Sequence, residues 1–241
     1  PEIEIHAVLP RTESRTLLIH ARSVIDRRES CLGRGTRNGC SLISSPECEE
    51  HHHGHRSPSR RLHPRLPAAD TVADARANPD AVAGIGIDEA AAHFAGIAEE
   101  RGPDTILIGH SFGGLIAEKL LGEGVGAGAV AIDPAQIKGV LPLPLAQLRA
   151  GFPALGSPGN LHKAVSLTAS QFRFGFGNAV DEDESDALFE RWTIPSPARP
   201  LFQAAAANFV MHSPAAVDTQ RAPRGPLLLI SGTADHTVPD V

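Results

Sequence analysis

The chain has 241 residues and a formal net charge of −6, with 41% hydrophobic and 4% aromatic residues. That length suits one α/β domain with a buried core, and the acidic balance argues against a nucleic-acid surface. No apolar run approaches a membrane span, and the charged start of the chain lacks the apolar stretch of a signal peptide. The three cysteines, Cys31, Cys40 and Cys48, are an odd set that fits a reducing compartment, so a cytoplasmic location is expected.

Residues 1–67 differ in character from the rest of the chain. They hold all three cysteines, seven of the twelve histidines, and eleven Lys and Arg against eight acidic residues, a net +3. The remainder carries −9. Thr16–His20 (TLLIH) and Ser41–Ser44 (SLIS) read as strand-like fragments, with no hydrophobic face joining them. Three readings compete: a disordered basic tail, a metal site at His51, His52, His53 and His55, or a corrupted stretch such as an out-of-frame translation. The third is favoured. Contiguous histidines cannot all face one ion without a scaffold, so no metal site is assigned.

From Ala68 the patterning becomes regular. Asn78-Pro79 marks a turn. Asp88 is placed to cap a helix running to about Arg101, with Ala91, Phe94, Ala95 and Ala98 on one face. Gly102-Pro103 ends it. Thr105–Ile108 reads as a strand apolar on both faces, as in the middle of a parallel sheet. A helix from Phe112 is expected to close at Gly122. Ala127–Ile132 and Leu227–Ile230 are further short apolar runs, ending at Asp133-Pro134 and at Ser231–Asp235. Strands alternating with helices imply a parallel sheet.

Between those last two strands lie about ninety residues without strand signal. Leu143–Leu155, Thr168–Phe176, Asp181–Trp192 and Pro200–Val210 read as short helices. Eight aromatic residues fall in this span, from Phe152 to Phe209. They are expected to form the core of a small helical cap, with a minority lining a pocket against the sheet.

The most informative run is Thr105–Leu121, TILIGHSFGGLIAEKLL. A strand feeds Gly109-His110-Ser111-Phe112-Gly113 and a helix comes at once, the setting of a G-x-S-x-G nucleophile elbow. Such a turn holds a serine hydroxyl exposed at the carboxyl end of a strand, with glycines where a side chain would collide. The helix start aims free N–H groups at the place where negative charge develops. The run is neither a dinucleotide fingerprint nor a Walker A loop.

LIGHSFGG, AVAIDPA and PLLLISGTADHTVP together resemble a bacterial α/β-hydrolase with a helical cap between its sixth and seventh strands. The resemblance covers roughly Asp70–Val241, and its most specific parts are the elbow and Gly232–Pro239. It implies a mostly parallel central sheet flanked by helices, with a triad in the order Ser, acid, His. The α/β core falls on 68–134 and 223–241 and the cap on 135–222. By resemblance Ser111 matches the nucleophile, the Phe112 N–H an oxyanion donor, and Asp235 the acid. Asp133 is the rival acid, otherwise shaping the turn beside Pro134. His110 sits too tightly in the elbow to serve Ser111, and His236 follows Asp235 too closely to be the base. No metal or organic cofactor is implied. The partner is a small-molecule acyl substrate, and oligomeric state is left open.

Two departures from the family pattern stand out. The early His-Gly oxyanion element has its nearest match in Leu17–Ala21, with Ala in place of Gly. The catalytic histidine of the family lies tens of residues beyond the acid, whereas Val241 is six residues past Asp235. The resemblance therefore implies a base beyond Val241 and a partial, inactive chain, with Leu227–Ile230 as an exposed apolar sheet edge. The alternative is a ligand-binding pseudoenzyme.

Overall fold

Four parallel strands organise the chain. The computed structural model describes residues 15–20, 71–141 and 145–238. Strand β1 (Arg15–His20) pairs with β2 (Thr105–His110), β2 with β3 (Gly128–Ile132), and β3 with β6 (Leu227–Ile230), giving the order β1-β2-β3-β6. The register places His20 beside His110 and His110 beside Ile132, so these strand ends are level at the carboxyl edge. Strand β2 is interior, which explains its apolar residues on both faces.

Two helices cover this sheet. Helix α2 (Ile87–Arg101) packs Ala90, Ala91, Phe94 and Ala98 against Ile116, Leu120 and Leu121 of α3 (Phe112–Glu123), with Leu107 and Ala129 from the strands. Phe94, Leu107, Leu115 and Leu120 are fully buried, each contributing about 1.5–3 kcal/mol of transfer free energy. A second cluster joins Ile87, Leu115, Ala135, Ala207 and Ala215, with Phe112 against it.

The long segment between β3 and β6 holds α4 (Leu145–Leu155), α5 (Ala169–Gly175), α6 (Glu182–Trp192) and α7 (Arg199–Ala205). Thr168 and Asp181 are N-caps rather than helical residues: their side chains accept from the backbone N–H groups of Gln171 and Glu184. The last helix is shorter than Pro200–Val210, because turns replace it after Ala205. The segment also contains two residues of strand on each side of a small antiparallel pair, β4 (Ala164–Val165) and β5 (Ser196–Pro197). Runs that short give no period to read.

Two helix ends differ from the sequence reading. Gly86, not Asp88, is the N-cap of α2, and its N–H donates to Glu89 Oε2 at 3.1 Å; Asp88 lies in the first turn. Helix α3 ends at Gly124, whose φ of 87° is the left-handed conformation that favours glycine. Gly122 lies inside the helix, where a Cβ would sit 2.9 Å from the Asp218 carbonyl oxygen. Asn78-Pro79 opens a 3-10 turn, Pro79–Val82, behind the short helix α1 (Val72–Ala77).

Thr16–His20 does form a strand, joined to the sheet through β2. Ser41–Ser44 and His51–His55 lie outside the described residues. Among the described residues no group of three metal-ligating side chains occurs, and no helix is long and apolar enough to cross a membrane.

Candidate active site

The site begins where β2 bends into α3. Ser111 has φ 54° and ψ −123°, a backbone conformation that a non-glycine residue adopts only when its surroundings hold it there. Four hydrogen bonds do so. Ser111 N–H donates to Ile132 O at 3.0 Å, and Ser111 O accepts from Gly114, Leu115 and Ala135 N–H at 2.9, 3.2 and 3.0 Å. The flanking glycines are required sterically: a Cβ on Gly109 would overlap the Gly113 carbonyl, and one on Gly114 would lie 2.9 Å from Pro134 Cβ.

Ser111 is half-buried and lines a cavity of about 330 Å³ together with His110, Phe112, Thr237 and Val238. Much of the remaining wall comes from α2 and from α4, α5 and α7. Phe112 N–H makes no hydrogen bond among the described residues, and no acidic residue occupies the first turn of α3. A free donor and the positive end of a twelve-residue helix therefore meet beside the serine.

Asp235 sits in the loop after β6. Its Oδ1 accepts from Thr237 N–H at 2.6 Å and Val238 N–H at 2.9 Å, while Oδ2 takes no hydrogen bond from the described residues. The carboxylate is thus fixed on one side and open on the other, and it anchors the two residues that line the cavity beside Ser111. Asp133 has a φ of 41°, and its Oδ1 accepts from Gly232 N–H, pinning the end of β3 to the loop after β6. That shapes the turn beside Pro134.

Sequence reasoning missed how the loop after β6 is gripped. His236 Nδ1 donates to Phe174 O at 2.9 Å, since a carbonyl oxygen only accepts. The imidazole also stacks on the Phe174 ring, centroids 4.8 Å apart, and the Arg149 guanidinium lies over the same ring, 4.0 Å from its centroid. Thr237 Oγ1 donates to Gly175 O at 3.0 Å, and Asn178 Nδ2 to Ala234 O at 2.8 Å. Nothing periodic in the sequence signals these contacts. No described histidine hydrogen-bonds to Ser111 or Asp235, and His236 is committed to α5.

Behind the elbow, α3 buries Glu118, which is 8% exposed. Burial pushes its carboxyl up to about 7, against a partial opposing pull from Arg224.

A sequence model of the alpha/beta hydrolase family matches residues 31–241. The chain belongs to the α/β-hydrolase family. The matched range takes in residues 31–67, so the family pattern reaches further toward the start than the motifs alone indicate. Among solved structures, the monoacylglycerol lipase of Paleococcus ferrophilus is similar, at 22% identity and a TM-score of 0.37. The match covers 65% of this α/β-hydrolase and 58% of that protein, so the chain spans under two thirds of its length. No curated protein matches the chain.

Proposed function

We propose that this α/β-hydrolase is a serine hydrolase acting on a small ester, amide or similar acyl substrate, with Ser111 as nucleophile. The observation that carries the reading is Ser111 itself: a strained residue at a helix start, in the wall of a cavity, beside an unused backbone donor.

In this reading the Ser111 Oγ–H proton passes to a histidine outside the described residues as Oγ bonds to the substrate carbonyl carbon. The negative charge on the carbonyl oxygen is received by the Phe112 N–H. The bond to the leaving group then breaks, the proton returns to that group, and water releases the acyl chain. Asp235 orients the histidine through its open Oδ2, and Asp133 keeps its structural role. No metal or organic cofactor takes part. The segment 135–222 acts as a cap over a core formed by 68–134 and 223–241. A cytoplasmic location rests on cysteine usage alone.

A fluorophosphonate probe tests the assignment on the chain and on a polypeptide extended past Val241. Labelling is expected at Ser111 of the extended polypeptide and absent from its Ser111→Ala variant.

One observation favours a second reading. No described histidine hydrogen-bonds to Ser111 or Asp235, as in a binding protein without turnover. That reading predicts ligand-induced stabilisation, unchanged by Ser111→Ala, with no covalent adduct on either polypeptide.

A further inference from the structure

The cavity beside Ser111 is lined by residues from both the sheet side and the segment above it, and its composition is selective. Among the described lining residues none is Asp, Glu, Lys or Arg, and His110 is the one titratable side chain. Away from the start of α3, a carboxylate, phosphate or ammonium group placed there would lose hydration with no charged side chain to replace it.

The wall contributed by α4 includes the small residues Ala150, Gly151 and Ala154. Gly151 sits in the interior of that eleven-residue helix, where glycine is unfavourable relative to alanine. Its backbone needs no glycine: φ is not positive, and a Cβ would meet only Leu155 Cδ1 at 3.4 Å and Leu201 Cδ2 at 4.0 Å, ordinary contacts. What a longer side chain at 151 would take up is space in the cavity, between α4 and α7.

Resting on the reading of this cavity as the acyl site, we propose that it takes an uncharged aliphatic acyl chain and that Gly151 is a specificity-determining position that leaves room for that chain. On this proposal a longer chain draws on the volume beside α4 that a short one leaves free.

Trp192, the single tryptophan, lines the same cavity, so its fluorescence reports occupancy without any chemistry at Ser111. In a Ser111→Ala background, which cannot turn esters over, the ligands are methyl butanoate, methyl octanoate and monomethyl suberate, the last having the octanoate length and a terminal carboxylate. At pH 8 the protein is expected to bind methyl octanoate at least ~100-fold more tightly than monomethyl suberate, the cost of burying an unpaired charge. In Gly151→Leu, octanoate binding is expected to weaken at least ~10-fold while butanoate binding holds within ~3-fold. Gly96→Ala, an exposed glycine on α2 with nothing within 4 Å of its Cβ position, is the control for helix propensity and should leave all three unchanged.

Equal binding of suberate and octanoate, no binding of octanoate at all, or an unchanged octanoate-to-butanoate ratio in Gly151→Leu would overturn the proposal. If Gly151→Leu does not fold, Gly151→Ala replaces it and must show the same change of ratio in smaller degree. Because the readout is binding, a failure here leaves the Ser111 assignment standing. An adduct that survives Ser111→Ala would sink that assignment and leave the chain preference in place.

Discussion

Single residues divide here into those that hold the elbow and one that strains against its surroundings. Ser111, Gly109 and Gly114 belong to the first group: the backbone around them is fixed by hydrogen bonds and by close approach. Glu118 is the other kind. Its folded-state value of about 7 lies above the ordinary 4.5, so the folded chain holds a proton that the unfolded chain has released between those values. Stability from this residue is therefore full below about pH 4.5 and is lost as pH rises through 7. The shift corresponds to on the order of 3 kcal/mol. Glu118→Gln keeps the shape and removes the charge. Urea denaturation at pH 5 and pH 8 should show the variant gaining stability at pH 8, by up to that amount, with little change at pH 5. An identical pH slope in both proteins would mean that Glu118 is solvated.

At the scale of elements, the sheet is readable because strand and helix periods differ and the breakers are unambiguous. Thr105–Ile108 and Leu227–Ile230 are apolar runs closed by a turn signal, and both are strands. The helix caps are less legible, since Asp88 and Gly86 both suit a helix start and only the side chain of Glu89 decides between them. The pair β4–β5 and the grip of Phe174 on His236 join residues far apart in sequence through single contacts, which leave no pattern. Edges follow from order: β6 is an outer strand among the described residues, and Leu229 is 54% exposed on it, as expected for an unpartnered apolar edge. The grip on the loop after β6 makes its own prediction. His236→Ala removes a hydrogen bond and a ring stack together worth about 1.5 kcal/mol. Amide hydrogen exchange over 232–238 should then quicken by ~10-fold while β2 is unaffected. Unchanged exchange in that loop would show that α5 does not hold it.

Over the whole molecule, the α4–α7 segment is tied to the sheet side through two arginines. Arg76 donates to Glu190 O and Thr193 O at 2.6 and 2.9 Å, and Arg199 to Gly84 O and Glu89 Oε1 at 2.7 and 2.8 Å. Ile87 N–H adds a bond by donating to Gln203 Oε1 at 2.8 Å, beside those of α5 with the loop after β6. Replacing both arginines by alanine should cost about 2 kcal/mol. Limited proteolysis should then cut first within 145–222, with the sheet intact; simultaneous loss of both parts would mean that they unfold as one unit. Family and sheet are legible in the amino-acid sequence because the elbow and the Gly232–Pro239 run each encode a backbone shape. The cavity is not, since it is made of side chains that packing brings together from several helices and loops.

The central claim is that the Ser111 hydroxyl forms the covalent bond with substrate. Its most direct test is mass-spectrometric mapping of a fluorophosphonate adduct on the polypeptide extended past Val241. One adduct is expected, on Ser111, that disappears in Ser111→Ala and forms markedly more slowly in Asp235→Asn. An adduct on another residue, or one that persists in Ser111→Ala, would contradict the claim.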